Sequence, residues 1–76
     1  MAKGADLKRV AVVRALLKSG EAKRRREESN IRLAEAARAA RVSPSALLRW
    51  ETGQWSPRFQ HALDYGRVLD NLTSEG

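Results

Sequence analysis

The sequence predicts an all-α protein, a compact bundle of about five short helices. Two observations lead to this prediction. Apolar residues recur at intervals of three and four along most of the chain, which is the spacing of one face of a helix. Strand signals are missing, because β-branched residues are scarce and no segment alternates between apolar and polar residues. At 76 residues, the chain has room for one small domain.

The first predicted helix covers residues 6–18, with Asp6 as its N-cap. Its broad apolar surface consists of Leu7, Val10, Val12, Val13, Leu16 and Leu17. This surface either packs onto the domain or, as we favour, serves as a dimerisation surface. A helix that continues through Gly20 would carry the apolar half away from the domain. A membrane-surface role for this basic segment is a weaker third option.

The second predicted helix covers residues 21–29 and carries mostly charged side chains. Arg24 and Arg25 stand four and three residues before Glu28, so both can form ion pairs with it. Asn30 follows as a residue suited to a left-handed turn.

The third and fourth predicted helices cover residues 31–42 and 44–51. Ser43 is the expected N-cap of the fourth helix, and Pro44 occupies its first position, where a missing N–H costs nothing. Gly53 is the expected stop. The residues expected to point inward are Ile31, Leu33, Ala36, Ala37 and Ala40 on the third helix, and Leu47 and Trp50 on the fourth.

The fifth predicted helix runs from Pro57 to about Asn71. Its inner face is expected to comprise Phe59, Ala62, Leu63, Gly66, Val68 and Leu69. Residues 73–76 are expected to form a disordered tail.

The charge is uneven along the chain. The net charge is +6, and residues 1–32 hold ten lysines and arginines against four acids, whereas residues 33–76 hold five of each. Such a basic segment suggests a polyanionic partner, nucleic acid before an anionic membrane, with a solvated basic surface as the alternative. The run at 23–26 either flanks phosphates or is simply solvated.

Several function classes find no support in the composition. The chain has no cysteine, which excludes disulfides and thiolate metal sites and fits a cytoplasmic location. His61 is the only histidine, so a histidine pair for a metal is excluded. We expect no membrane span, because no apolar run approaches roughly 20 residues. We also expect no signal peptide, since Arg14 interrupts the first apolar stretch. No catalytic set is assembled, so we expect neither an enzyme nor a cofactor, metal or small-molecule ligand.

Residues 31–42 and 44–51, joined by a short turn, form the pattern of a helix-turn-helix. In that motif the second helix lies in the major groove of DNA, with its N-terminal end at the base edges. Arg49 stands one turn beyond Ser45 on the same face and can donate two hydrogen bonds to guanine. Ala46 can touch a thymine methyl group.

On these residues, the segment from 20 to 69 resembles the helix-turn-helix domain of the phage Cro and repressor family, also called the XRE family. The family pattern is met by Leu33, Ala37, Val42, Ser43, Leu47, Trp50, Glu51, Gly53 and Pro57. The resemblance implies a lambda-repressor-like fold, with residues 20–72 as the DNA-binding domain and residues 1–19 as an extra N-terminal helix. It also implies a transcriptional regulator of phage or prophage descent that occupies a double-stranded DNA operator.

The resemblance assigns roles to individual residues. Base-reading positions are Pro44, Ser45, Ala46 and Arg49. Candidate phosphate contacts are Arg32, Arg41, Ser43, Thr52, Gln54, Trp55 and Arg58. Arg26 falls where the family pairs an arginine with the glutamate that matches Glu51, and we expect a bidentate salt bridge rather than two solvated side chains.

Three residues depart from the family pattern. Arg32 replaces a capping serine or threonine, so the third helix starts less firmly or Arg32 reaches a phosphate. Leu33 replaces a glutamine that often holds phosphate, so one backbone contact is expected to be lost. Arg41 replaces a turn glycine, and a positive φ there costs about 1 kcal/mol. Either the turn differs, or the strain is tolerated because Arg41 contacts the DNA backbone.

Three further residues have competing interpretations. We expect Trp55 to pack under its loop as core, with a phosphate or a partner subunit as the alternatives. Arg58 is either a DNA contact or a surface cation. His61 is expected at the surface or facing a partner.

Two questions of function stay open. A homodimer through residues 6–18 or the C-terminal helix would place two recognition helices roughly 34 Å apart on a pseudo-palindrome, and monomer binding is the other option. The second functional hypothesis is a protein-interaction module, such as an antitoxin or anti-repressor, with weak DNA binding.

Overall fold

The computed structural model describes residues 4–73, and within them the chain forms five α-helices and no strand. The helices are α1 (Gly4–Ser19), α2 (Glu21–Glu28), α3 (Leu33–Ala39), α4 (Pro44–Glu51) and α5 (Phe59–Thr73). The predicted all-α class is confirmed. Of the predicted tail, Thr73 instead ends α5, and the other three residues lie outside the described part. None of these helices is both long enough and apolar enough to cross a membrane.

Left-handed residues mark four helix ends: Gly20 (φ 88°), Asn30 (58°), Arg41 (62°) and Gly53 (80°). At the ends of α2, α3 and α4, the N–H groups of the left-handed residue and of the residue after it donate to carbonyls near the end of the helix, which caps it. The left-handed turn expected at Asn30 is therefore present. Arg41 adopts the positive φ that was considered for this position, so a side chain is held in a conformation that favours glycine.

The first helix packs onto the rest of the domain. Val10, Val13 and Leu17 are buried in the common core, and α1 lies against α5. A Cβ atom placed on Gly66 would stand 3.1 Å from Val13 Cγ2, so the two helices cross closely. The helix does not continue through Gly20, because the left-handed φ there ends it.

Some residues of α1 and α5 lie elsewhere than predicted. Asp6 is the third residue of α1 and not its N-cap, because the helix begins two residues earlier. Leu7 is 56% exposed and Val12 50%, so part of the apolar surface is left uncovered. Pro57 is buried but precedes α5, which begins at Phe59.

The core is centred on an aromatic cluster. The Trp50 ring lies 6.2 Å from the Tyr65 ring and 6.0 Å from the His61 ring. Tyr65 is fully buried, although the predicted inner face of the fifth helix omitted it. His61, expected at the surface or facing a partner, is half-buried, and its Nδ1 atom is buried without a hydrogen-bond partner.

Candidate nucleic-acid interface

Helix α4 starts where the sequence predicts and presents one face to the core. The Ser43 Oγ atom accepts a hydrogen bond from the Ala46 N–H at 3.1 Å, and Pro44 fills the first helical position. Leu47, Trp50 and Glu51 are buried. Because these three residues occupy one side of α4, the opposite side is fixed in orientation and faces outward.

That outward side carries Ser45 and Arg49, which are four residues apart and both exposed. Pro44 is exposed as well, whereas Ala46 is half-buried on the flank of the helix. Sequence reasoning overlooked Leu48, which is 49% exposed on the other flank. Its position next to Arg49 and three residues after Ser45 was the signal available. The exposed face therefore combines a hydroxyl, a guanidinium and apolar groups.

The loop after α4 places Trp55 against Arg49. The N–H groups of Gln54 and Trp55 both donate to the Arg49 carbonyl, at 2.9 and 3.2 Å. The Arg49 guanidinium carbon stands 4.3 Å from the centre of the Trp55 ring, which is a cation–π contact. The expectation that Trp55 packs as core is wrong, since it is 52% exposed. The Trp55 ring instead limits the conformations of the exposed Arg49 side chain, and the guanidinium N–H groups remain able to donate.

A buried ion pair fixes α4 to α2. Arg26 donates from Nε and from a terminal nitrogen to the two carboxylate oxygens of Glu51, at 2.8 and 2.9 Å. The other terminal nitrogen donates to the Ile31 carbonyl at 2.9 Å. The side chains of Arg26 and Glu51 are only 9% and 2% exposed, and the hydrogen bonds that Arg26 donates to Glu51 raise the pKa of Arg26. The pair joins two helices that are distant in sequence and sets the orientation of α4.

The arginines of α2 are largely neutralised by its own acids. Arg24 binds both Glu21 and Glu28, the latter at 2.6 Å. Arg25 binds Glu21 at 3.1 Å, so the predicted pairing of Arg25 with Glu28 is wrong. The two arginines lower the pKa of the Glu21 carboxyl. With Arg26 bound to Glu51, three members of the run at 23–26 have carboxylate partners.

The remaining cations near α3 and α4 are exposed, and none has a carboxylate at salt-bridge distance within residues 4–73: Arg32, Arg38, Arg41, Arg49 and Arg58. The start of α3, where Arg32 replaces a capping serine or threonine, is capped by Glu35 instead. Glu35 accepts the Arg32 backbone N–H at 2.9 Å, which leaves the Arg32 guanidinium uncommitted. Five exposed arginines without a carboxylate partner in the described residues therefore lie around the two helices of the motif.

The other residues expected to contact phosphates differ in whether their hydrogen-bond donors are already used within the protein. The Thr52 hydroxyl donates to the Leu48 carbonyl at 3.0 Å, so it is engaged inside the protein. Gln54 is exposed. A groove of about 400 Å³ brings Ala46, Trp55 and Arg58 together, and His61 lines it too. Arg32 stands apart from this groove, at the beginning of α3.

This geometry agrees with a comparison against known families. The family model for a helix-turn-helix domain matches residues 19–70. Searches of curated proteins and of solved structures gave no significant match. The matched segment contains α2 to α4 and most of α5, and it leaves out nearly all of α1.

Proposed function

The chain belongs to the helix-turn-helix domain family, and from this premise we propose that it is a sequence-specific regulator that binds double-stranded DNA. In a helix-turn-helix the second helix enters the major groove while the first crosses the backbone. Here α4 would be the recognition helix and α3 its partner. The observation that carries this proposal is the exposed Arg49, which lies on the side of α4 opposite the core, rests on Trp55 and has no carboxylate at salt-bridge distance within residues 4–73.

Base reading would centre on the exposed side of α4. Arg49 can donate two hydrogen bonds to the O6 and N7 atoms of guanine. Ser45 lies one turn earlier and can donate to or accept from a neighbouring base, and Pro44 and Ala46 offer apolar contact to a thymine methyl group. Trp55 would act as a positioning residue, because stacking reduces the freedom that the Arg49 side chain loses on binding.

Phosphate contacts would surround this helix. The proposed set is Arg32, Arg41, Ser43, Thr52, Gln54, Trp55 and Arg58. The exposed arginines among them have free donors for phosphate oxygens. Thr52 would contribute only if its hydroxyl turned away from the Leu48 carbonyl.

The regulatory mechanism we propose is occupancy. A protein of the Cro and repressor type, of phage or prophage descent and acting in the cytoplasm, would cover an operator and exclude polymerase or a competing repressor. Dimer binding would place two recognition helices roughly 34 Å apart on a pseudo-palindrome, through α1 or α5 as the contact. Binding as a monomer to an asymmetric site is the other geometry.

Selection from a random-sequence duplex library, followed by footprinting of the recovered site, tests the proposal. We expect a recovered consensus and a footprint whose half-site spacing reports the symmetry. The Arg49→Ala variant serves as the matched control, because it removes the proposed guanine contact without touching the core. Weak binding with no recovered consensus would contradict the proposal.

One observation favours a second function, that of a protein-interaction module such as an antitoxin or anti-repressor. The apolar residues Leu7 and Val12 of α1 are half exposed, and Val12 lines a groove of about 410 Å³ between α1 and α5. Tight binding to a protein partner, together with sequence-blind DNA binding, would support this function over the first.

A further inference from the structure

Helix α1 lies almost wholly outside the family match, yet it touches the loop that follows α4. The Arg14 Nε atom donates to the Pro57 carbonyl at 3.0 Å. A narrow groove separates α1 from the loop, with Arg14 and Lys18 on one side and Gly53 and Ser56 on the other. This edge of α1 is therefore continuous with the loop that carries Trp55 and Arg58.

The two cations on this edge are not paired with a carboxylate in residues 4–73. Arg14 and Lys18 are four residues apart, both exposed, and neither has a carboxylate at salt-bridge distance in the described part of the chain. Like charges at this spacing repel each other. In contrast, Arg9, on another side of α1, is paired with Asp70 of α5. Arg14 and Lys18 thus place two unpaired cations of α1 on the side that borders the loop.

The donors of the two residues suit an oxyanion. Arg14 uses Nε for the Pro57 carbonyl, which fixes the guanidinium beside the loop and leaves its terminal nitrogens free to donate. Lys18 stands in the last turn of α1 with an exposed side chain, where its positive charge also interacts favourably with the helix dipole. The dipole alone accounts for one lysine, but it does not account for Arg14, which is in the middle of α1.

We propose that Arg14 and Lys18 bind a DNA backbone phosphate, so that α1 extends the DNA contact beyond the helix-turn-helix itself. The proposal rests on the proposed function. The protein would then hold the duplex through a helix that precedes the motif, with the loop at residues 52–58 between the two contacts. A backbone contact of this kind adds affinity without adding base preference.

The test compares Lys18→Gln with Lys8→Gln, measuring binding to the selected duplex and to a scrambled duplex over a series of salt concentrations. Lys8 is the matched control, because it is an exposed lysine of the same helix that lines the groove on the α5 side. Each variant lowers the net charge by one. We expect Lys18→Gln to reduce the slope of log K against log salt by about 0.9, as the loss of one phosphate contact does. Affinity should fall equally for both duplexes, and Lys8→Gln should leave the slope unchanged.

An equal slope change in the two lysine variants would overturn the inference, since only net charge would then matter. The Arg49→Ala variant separates this failure from that of the proposed function. If Arg49→Ala loses base preference while Lys18→Gln behaves like Lys8→Gln, only the α1 contact is wrong. If the wild-type protein prefers no sequence, the proposed function fails and the inference fails with it. Arg14→Gln is a second probe of the same phosphate contact. Because this variant also loses the hydrogen bond to the Pro57 carbonyl, its thermal unfolding is measured alongside its DNA binding.

Discussion

Arg26 and Arg49 are the same residue type in opposite surroundings. Arg26 is buried and donates three hydrogen bonds, two of them to Glu51 of α4. Arg49, two residues before Glu51 in the same helix, is exposed and rests on Trp55. The inner region, around the buried pair of Arg26 and Glu51, thus holds α4 in place. The outer region, the exposed side of α4 with Arg49, keeps its hydrogen-bond donors available for a ligand. We expect mutations in the two regions to affect different measurements.

The largest effect is expected for Glu51→Ala. Removing one partner of a buried pair leaves the other charge unpaired, which typically costs about 3–5 kcal/mol of unfolding free energy. Denaturant unfolding should show this loss, and stability should fall more than the base preference of the folded fraction. The double variant Arg26→Met with Glu51→Leu removes both charges and should recover much of the stability. A stable Glu51→Ala protein with altered base preference would contradict the anchoring role.

The next effect is expected for Arg49→Ala, in binding and not in folding. Loss of a guanine contact should cost about 1–3 kcal/mol on the best site and relax the preference at one base pair. The free energy of unfolding, measured by thermal unfolding, should change by less than about 0.5 kcal/mol, since the Arg49 side chain is exposed. Trp55→Ala should weaken discrimination at the same base pair by a smaller amount, whereas Trp55→Phe retains an aromatic face. Unchanged affinity and preference in Arg49→Ala would place the recognition surface elsewhere.

Arg41→Gly probes strain at the turn between α3 and α4. Glycine adopts positive φ without the penalty that a side chain incurs, so stability should rise by about 1 kcal/mol. If Arg41 contacts the DNA backbone, the same variant should lower the salt dependence of binding. Arg41→Gln is the control, because it removes the charge and keeps the strain. A rise in stability with unchanged salt dependence would mean that Arg41 makes no phosphate contact.

The smallest effect concerns Tyr65, in the inner region. Its hydroxyl is buried without a partner, and burial raises the pKa of the phenol. Because the pKa of Tyr65 is higher in the folded protein than in the unfolded chain, the free energy of unfolding is unaffected by ionisation below the unfolded pKa of about 10. It declines as the pH rises above that value. Tyr65→Phe should remove this alkaline loss and raise stability at neutral pH by up to about 1 kcal/mol. A lower stability at pH 7 would reveal a hydrogen bond at the hydroxyl.

The sequence predicts the motif well because its signals are local. The cap at Ser43, the stop at Gly53 and the inward Leu47 and Trp50 all follow from residue types a few positions apart. The contact between Arg26 and Glu51 is not local, and only the family resemblance suggested it.

What the sequence did not reveal depends on packing between distant segments. Trp55 was expected in the core, because nothing in the order of residues shows that the loop folds back to the Arg49 carbonyl. Tyr65 was omitted from the predicted inner face of α5, although it is fully buried against Trp50. The basic run at 23–26 suggested a surface for phosphates, but Glu21 and Glu28, in the same helix, neutralise Arg24 and Arg25.

The close crossing of α1 and α5 at Gly66 has a consequence for how the chain folds. Val13 is synthesised long before Gly66, yet the two must meet for α1 to be covered. The part of the apolar side of α1 that faces α5 therefore has no partner during translation before α5 is synthesised. Helix α1 therefore cannot complete its packing until α5 has been synthesised.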